Sequence, residues 1–183
     1  MNKRASGFTI VELLIVIVVI AILAAITIVA YNGIQQRASN TKTINAAKAY
    51  QKGLILYATQ NGAYPTASGC MGTGYPDGKC WNASRTESPT LMSQLQTVMG
   101  SSLPLPSFIT SGGTDSYGGV FYAPGFIVDG NPVPVLTYML QGSGSTCSVG
   151  PTFTYQGNNL STSTPNPNPA GSYPQCFVLL PPV

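Results

Sequence analysis

Few residues of this sequence could do chemistry. The 183-residue chain has eight Lys or Arg, five Asp or Glu and no His. Without His, neither Ser-His-Asp nor Cys-His nucleophile activation is available, and no His-ligated metal site can form. The carboxylates after the N-terminal apolar run stand singly among Gly, Pro and Ser, as turn residues do: Asp77, Glu87, Asp115 and Asp129. The sequence therefore predicts no enzyme activity, no catalytic residue, no cofactor and no metal.

The four cysteines form two groups that are close in sequence, Cys70 with Cys80 and Cys147 with Cys176. Four cysteines allow three pairings. Sequence proximity favours Cys70–Cys80 and Cys147–Cys176, each closing a separate unit. An even number of cysteines behind an N-terminal apolar segment indicates an oxidising compartment and disulfides rather than thiol chemistry.

The remaining carboxylate, Glu12, lies inside an apolar run over residues 8–30, in which 20 of 23 residues are apolar. As a helix this run spans roughly 34 Å, enough to cross a bilayer. A secretory signal has a shorter apolar stretch. A carboxylate costs about 2.5–3.5 kcal/mol at mid-bilayer and less near the interface. Glu12 is thus either an interfacial residue whose carboxylate reaches the headgroups or a functional one.

The sequence after residue 30 predicts the secondary structure that follows the apolar segment. Helical spacing of apolar and small residues continues to Asn61, where Gly62 and Pro65 end it, so one helix is expected over 8–61 with 8–30 in the membrane. Its cations predict a solvated face rather than a lipid or DNA contact. The head, residues 62–183, begins with a loop, followed by a short helix over 89–99. Strand patterns then predict an antiparallel sheet, at 117–122, 133–141, 152–156 and 173–180, with an exposed extended loop at 161–172.

The string from Lys3 to Leu13 resembles the prepilin signature of type IV pilins and of the pseudopilins of type II secretion: a short basic leader, Gly7, Phe8 and then Glu12 in an uncharged run. The resemblance implies that residues 1–7 are a leader cut after Gly7 by a membrane-embedded prepilin peptidase, and that Phe8 is N-methylated. It also implies an α+β fold, in which the long helix packs on a small antiparallel sheet with a disulfide-closed C-terminal loop.

Cleavage there would expose an amine on Phe8 about one helical turn from Glu12. In low dielectric each charge needs a partner, and the amine of one subunit can also reach the Glu12 of the next. Such a head-to-tail contact does not close, so repetition yields a helical filament. Phe8 and Glu12 are therefore the expected assembly residues.

The expected function is a structural subunit of a type IV pilus for adhesion, motility or DNA uptake. It would be stored in the cytoplasmic membrane with its head outside and then assembled at the cell surface. Its expected partners are other copies of itself, the prepilin peptidase, the pilus assembly platform and minor pilins; direct DNA binding has no support in the sequence. The alternatives are a pseudopilin or minor pilin, and a single-pass membrane protein whose head binds a ligand.

Overall fold

The computed structural model describes residues 7–75, 78–82, 85–110, 116–128, 130–142, 145, 147, 153–155, 158–160, 164–165 and 174–183. Residues 1–6 of the expected leader, Asp77, Asp115, Asp129 and most of the 161–172 loop lie outside these residues. The chain forms two compact units, residues 1–37 and residues 38–183.

The N-terminal helix, α1, spans Ile10–Asn61. The expected start at Phe8 is wrong by two residues, because Thr9 caps the helix with its side chain and leaves Gly7 and Phe8 outside it. The helix ends where Gly62 takes a left-handed φ of 73° and donates its N–H to the carbonyl of Ala58, at 2.8 Å. Gly33 and Gly53, the weakest helix formers inside it, do not interrupt it.

The helix that follows in the head, α2, spans Pro89–Met99. Ser88 caps its N-terminus by accepting the N–H of Leu91 at 3.3 Å, and Gly100 ends it at a φ of 85°. Leu91 and Leu95 lie on its apolar face and are buried in the core.

The strands of the head are short, and the pairings between the described strands are antiparallel. They are β1 Gly69–Cys70, β2 Lys79–Asn82, β3 Arg85–Thr86, β4 Phe108–Thr110, β5 Ser116–Gly118, β6 Val120–Val128, β7 Asn131–Met139, β8 Phe153–Tyr155, β9 Asn158–Leu160, β10 Thr164–Pro165 and β11 Pro174–Leu179. One sheet has the order β1-β6-β7-β11-β10, a second β3-β2-β5-β4, and β8 pairs with β9. A long apolar N-terminal helix, antiparallel sheets and a disulfide-bonded C-terminal region confirm the type IV pilin fold.

The core lies between the five-stranded sheet and the part of α1 that belongs to the head. Its fully buried side chains include Tyr50 and Leu54 from α1 and Tyr122 and Leu136 from the sheet. The Tyr50 hydroxyl donates to the Pro104 carbonyl at 2.6 Å, so this buried polar group is paired.

Asn40 marks the place where α1 begins to pack on the sheet. Its amide accepts the N–H of Gln141 at 2.7 Å and donates to the carbonyl of the same residue at 3.0 Å. At the other end of this packing, Tyr64 donates its hydroxyl to the Pro181 carbonyl at 2.8 Å. Because Pro181 follows β11, whose Leu179 pairs with Val135 of β7, the part of α1 from Asn40 onward runs antiparallel to β7.

Both disulfides join the cysteines that sequence proximity favours. Cys70 and Cys80 are bonded with their Cα atoms 5.8 Å apart, and Cys147 and Cys176 with theirs 5.5 Å apart. The first ties β1 to β2 and therefore links the two larger sheets. The second ties the chain after β7 to β11.

The strand expected over 117–122 is two strands, which belong to different sheets. Gly118 pairs with Trp81 in the four-stranded sheet, whereas Val120 pairs with Tyr138 in the five-stranded sheet. Between them, Gly119 adopts a φ of 84°, a left-handed conformation that ends one strand and starts the other. The hydroxyl of Tyr75 stabilises the bend at Gly119, the corner between the two sheets. It accepts the N–H of Val120 at 3.2 Å and donates to the carbonyl of Met71 at 2.6 Å. Burial raises the pKa of Tyr75, which keeps the hydroxyl protonated for that donation.

We expect Gly119→Ala to destabilise the head by about 2–5 kcal/mol, combining the cost of a left-handed alanine with that of overpacking. A Cβ at this position would overlap the Tyr75 ring. The matched control is Gly125→Ala, since a Cβ there meets no atom within 4 Å and Gly125 is not in the left-handed region. Urea unfolding of the detergent-solubilised chain measures both variants. Equal stabilities would show that Gly119 does not set the corner between the sheets.

Candidate functional site

The N-terminus of α1 is held by a reciprocal pair of side-chain contacts between Thr9 and Glu12. The Thr9 N–H and hydroxyl both donate to Glu12 Oε2, at 2.9 and 2.7 Å. In return, the Glu12 N–H donates to Thr9 Oγ1 at 3.3 Å. This is a capping box, which pairs backbone N–H groups that the helix itself leaves unpaired. The Glu12 carboxylate is thus a helix-capping group as well as a charge in an apolar segment.

Sequence reasoning assigned no role to Thr9. The signal was present, because Thr-x-x-Glu directly before an apolar run is the sequence pattern of a capping box. The sequence interpretation gives Glu12 the Phe8 amine as its partner and does not include Thr9. The partner of the carboxylate among the described residues is Thr9.

The proposed cleavage junction lies immediately outside the helix. Gly7 and Phe8 are non-helical and exposed, and Phe8 leaves 84% of its surface accessible. A Cβ built on Gly7 meets no atom within 4 Å. A substitution at Gly7 therefore meets no obstacle within the described chain, and any effect on processing would arise at the peptidase.

Behind the junction, α1 exposes an almost wholly apolar surface. The large apolar side chains described between Phe8 and Ile28 are 47–85% exposed. The helix is long and apolar enough to cross a membrane, and its most apolar 18-residue stretch has no share buried within the chain. Such a surface is stable only when lipid or other protein covers it. The segment therefore anchors the chain in a membrane or in an assembly.

The described residues of the head include four cysteines and a small cavity beside α1. They contain no group of three or more His, Cys, Asp or Glu that could hold a metal ion. The four cysteines form two disulfides, so none of them is a free thiol. One small cavity lies beside α1 and is lined mainly by apolar side chains, together with Lys48 and Gln51.

Comparison with known proteins finds matches to the same N-terminal segment. Residues 2–28 match the family model of the prokaryotic N-terminal methylation motif. The type II secretion system core protein G of Aeromonas hydrophila is 34% identical over 65 residues, 36% of this chain and 46% of that protein. The type IV major pilin protein PilE1 of Neisseria gonorrhoeae is 33% identical over 76 residues, 42% of this chain and 46% of that protein.

The core protein G of Dickeya chrysanthemi is 31% identical over 72 residues, 39% of this chain and 47% of the relative. The chain spans somewhat less than half the length of these curated relatives. No solved structure matches it. The methylation motif, the capped apolar helix and these relatives together support a relationship between this chain and the type IV pilins and type II secretion pseudopilins.

Proposed function

We propose that this chain is a structural subunit of a type IV pilus, stored in the membrane and polymerised through its N-terminal helix. In this proposal the prepilin peptidase cuts between Gly7 and Phe8, Phe8 is N-methylated, and Glu12 takes part in assembly. The mature subunits then leave the cytoplasmic membrane for a cell-surface filament used in adhesion, motility or DNA uptake. The observation that carries the proposal is the exposed apolar half of α1, which begins directly after the Gly7-Phe8 junction.

A protein that is only anchored in the membrane needs the apolar surface of α1, but it needs neither the Gly7-Phe8 junction nor Glu12. Glu12 is expensive in a bilayer unless its carboxylate is paired. The capping box uses one of its oxygens and leaves the net charge in place. A partner that carries a positive charge, such as a new Phe8 amine, would satisfy the carboxylate more fully.

The second candidate is a pseudopilin or minor pilin, which the similarity to the two core proteins G favours. Such a subunit would share the leader, the helix and the processing but would serve a secretion machine or a pilus tip. The two candidates differ in abundance at the cell surface. Purified surface filaments analysed by mass spectrometry separate them, because a major pilin dominates such material and a pseudopilin is absent from it.

The same material tests the processing. We expect the mature chain to lack residues 1–7 and to carry one added methyl group on Phe8. Retention of Met1 in filaments would contradict this. Gly7→Leu should leave an uncut precursor in the membrane, because the side chain would obstruct the peptidase at the scissile bond. Gly33→Leu is the matched control, since Gly33 also has no atom within 4 Å of a built Cβ but lies far from the junction.

A further inference from the structure

The apolar half of α1 lies between two polar residues, Glu12 and Asn32. Among residues 13–30, only Thr27 has a polar side chain, and its hydroxyl donates to the carbonyl of Ala24 at 2.9 Å. Thr27 therefore needs no water, and the whole stretch can lie in lipid. Glu12 and Asn32 are 20 positions apart, which is about 30 Å along a helix. This distance matches the thickness of the hydrocarbon core of a typical bilayer.

The start of α1 gives a second, independent measure of how deep the helix lies. Residues 7–9 are non-helical and exposed, and α1 begins at Ile10. Non-helical backbone is not tolerated where it faces hydrocarbon, because its N–H and C=O groups have no partner there. The first residues must therefore lie where water reaches them, which keeps Glu12 at one boundary of the hydrocarbon core. Asn32 then lies at the other boundary, in agreement with the distance between the two residues.

The residues around Asn32 fit the interface between lipid and water. Tyr31 and Ile34 are 60% and 65% exposed, and Arg37 is also exposed. Tyr31 ends the apolar stretch, at the level where aromatic side chains are enriched in membrane proteins. Arg37 follows Asn32 by about 7.5 Å of helix, and the headgroup layer is roughly 5–7.5 Å thick on each side of the bilayer. We call Tyr31, Ile34 and Arg37, which are neighbours on the helix surface, the outer anchor.

Arg37 differs from the other cations of α1 in the unit to which it belongs. It lies in the compact unit of residues 1–37, together with the apolar stretch, whereas Lys42, Lys48 and Lys52 lie in the unit of the head. The sequence predicts a solvated face for all four cations, and the three lysines fit that prediction because they are exposed. A guanidinium at the height of the headgroups can instead bind phosphate oxygens, whose geometry it matches with two parallel N–H groups.

We propose that the outer anchor binds phospholipid headgroups of the outer leaflet and sets the depth of α1, so that Glu12 lies at the inner boundary of the hydrocarbon core. This inference rests on the proposed storage of the subunit in the cytoplasmic membrane. Glu12 alone would favour a position nearer the cytoplasm, because a carboxylate costs less outside the hydrocarbon. The anchor opposes that movement, since Tyr31 and Arg37 would have to enter the hydrocarbon. The stored subunit thus holds the Gly7-Phe8 junction in the inner headgroup layer, and Glu12 becomes buried only on assembly.

The depth is measured by labelling single cysteines in the full-length, membrane-stored chain with a membrane-impermeant maleimide. The four native cysteines are disulfide-bonded, so an introduced cysteine is the free thiol that reacts. In spheroplasts, Ile34→Cys should react from outside, whereas Ile28→Cys should react only after detergent is added. The two form a matched pair, because Ile28 and Ile34 are 62% and 65% exposed within the chain itself. In inverted vesicles, Ile10→Cys should react and Val16→Cys should not.

Further substitutions in the Ile34→Cys chain test the anchor. Tyr31→Leu with Arg37→Leu should let α1 move toward the cytoplasm and lower labelling at position 34 about fivefold, the factor that corresponds to about 1 kcal/mol for one cation at a membrane surface. Tyr31→Trp with Arg37→Lys keeps an aromatic ring and a cation and should leave the labelling unchanged. Lys42→Leu is the matched control, since it removes a cation that lies outside the anchor.

The outcomes separate this depth from the function on which it rests. Labelling at positions 10 and 34, with protection at positions 16 and 28, supports the proposed depth. Equal labelling at positions 28 and 34, or labelling at position 16 without detergent, overturns it. Unchanged labelling after loss of both Tyr31 and Arg37 overturns the role of the anchor. The labelling reports on the stored subunit before assembly, so absence of the chain from surface filaments would overturn the pilus function and leave the depth unaffected.

Discussion

Glu12→Ala is expected to abolish filaments while the precursor is still inserted, cleaved and folded. Removing an intramembrane carboxylate eases insertion. Its loss from the capping box costs about 1 kcal/mol and affects only the first turn of α1. In a filament, by contrast, a Phe8 amine without its carboxylate would be a buried unpaired charge, which costs about 3–5 kcal/mol in each subunit. Immunoblots of the membrane pool and of sheared surface filaments measure the two effects separately.

Two further variants separate the charge of Glu12 from its capping role. Glu12→Gln keeps an oxygen that can accept from the Thr9 N–H and hydroxyl, and it removes the charge. Thr9→Val removes the hydroxyl that donates to Oε2 and keeps the charge. If charge compensation drives assembly, Glu12→Gln fails nearly as severely as Glu12→Ala, and Thr9→Val retains most filaments.

The reverse pattern would assign Glu12 to helix capping alone. Normal filament yield from Glu12→Ala itself would contradict any assembly role. Glu12 would then be an interfacial residue, and the chain a single-pass membrane protein whose head serves some other purpose.

The helices were accessible from the sequence because their signals are local. Ser88 and Gly100 lie at the two ends of α2, and Gly62 follows the end of α1. Only the start of α1 was misplaced, by two residues, because Thr9 takes the cap. Fold class followed from these helices, the strand-rich C-terminal half and the resemblance of the first residues to a family.

The sheets were less accessible because their pairings are not local. Strands as short as β1 and β3 have two residues each and no alternating pattern. They exist because distant segments, such as Tyr122 opposite Gly69, supply the partners. The division of 117–122 between two sheets depends on Tyr75, more than 40 residues away, and no pattern within six residues encodes that contact.

Removing the Cys147–Cys176 bridge, as Cys147→Ala with Cys176→Ala, is expected to lower the unfolding free energy of the head by about 3.6 kcal/mol from loop closure alone. A total of about 5–15 kcal/mol is usual for a domain, so the loss is a quarter or more of it. Cys176 is fully buried in the main core, and truncation there adds a small packing cost. Urea unfolding of the solubilised full chain measures the change.

The matched comparison is Cys70→Ala with Cys80→Ala, for which loop closure alone gives about 2.8 kcal/mol. The two bridges differ in what they hold. Cys70–Cys80 joins two sheets that are also joined at Gly119, whereas Cys147–Cys176 closes a separation of 29 residues. Between Cys147 and the start of β11, the described strand pairs join β8 to β9 and β10 to β11, and β11 itself pairs with β7. We therefore expect proteolytic cleavage between residues 148 and 173 to accelerate only when the second bridge is removed. Equal acceleration in both double variants would show that the bridges stabilise one cooperative head, and that the C-terminal loop has no separate dependence on its own disulfide.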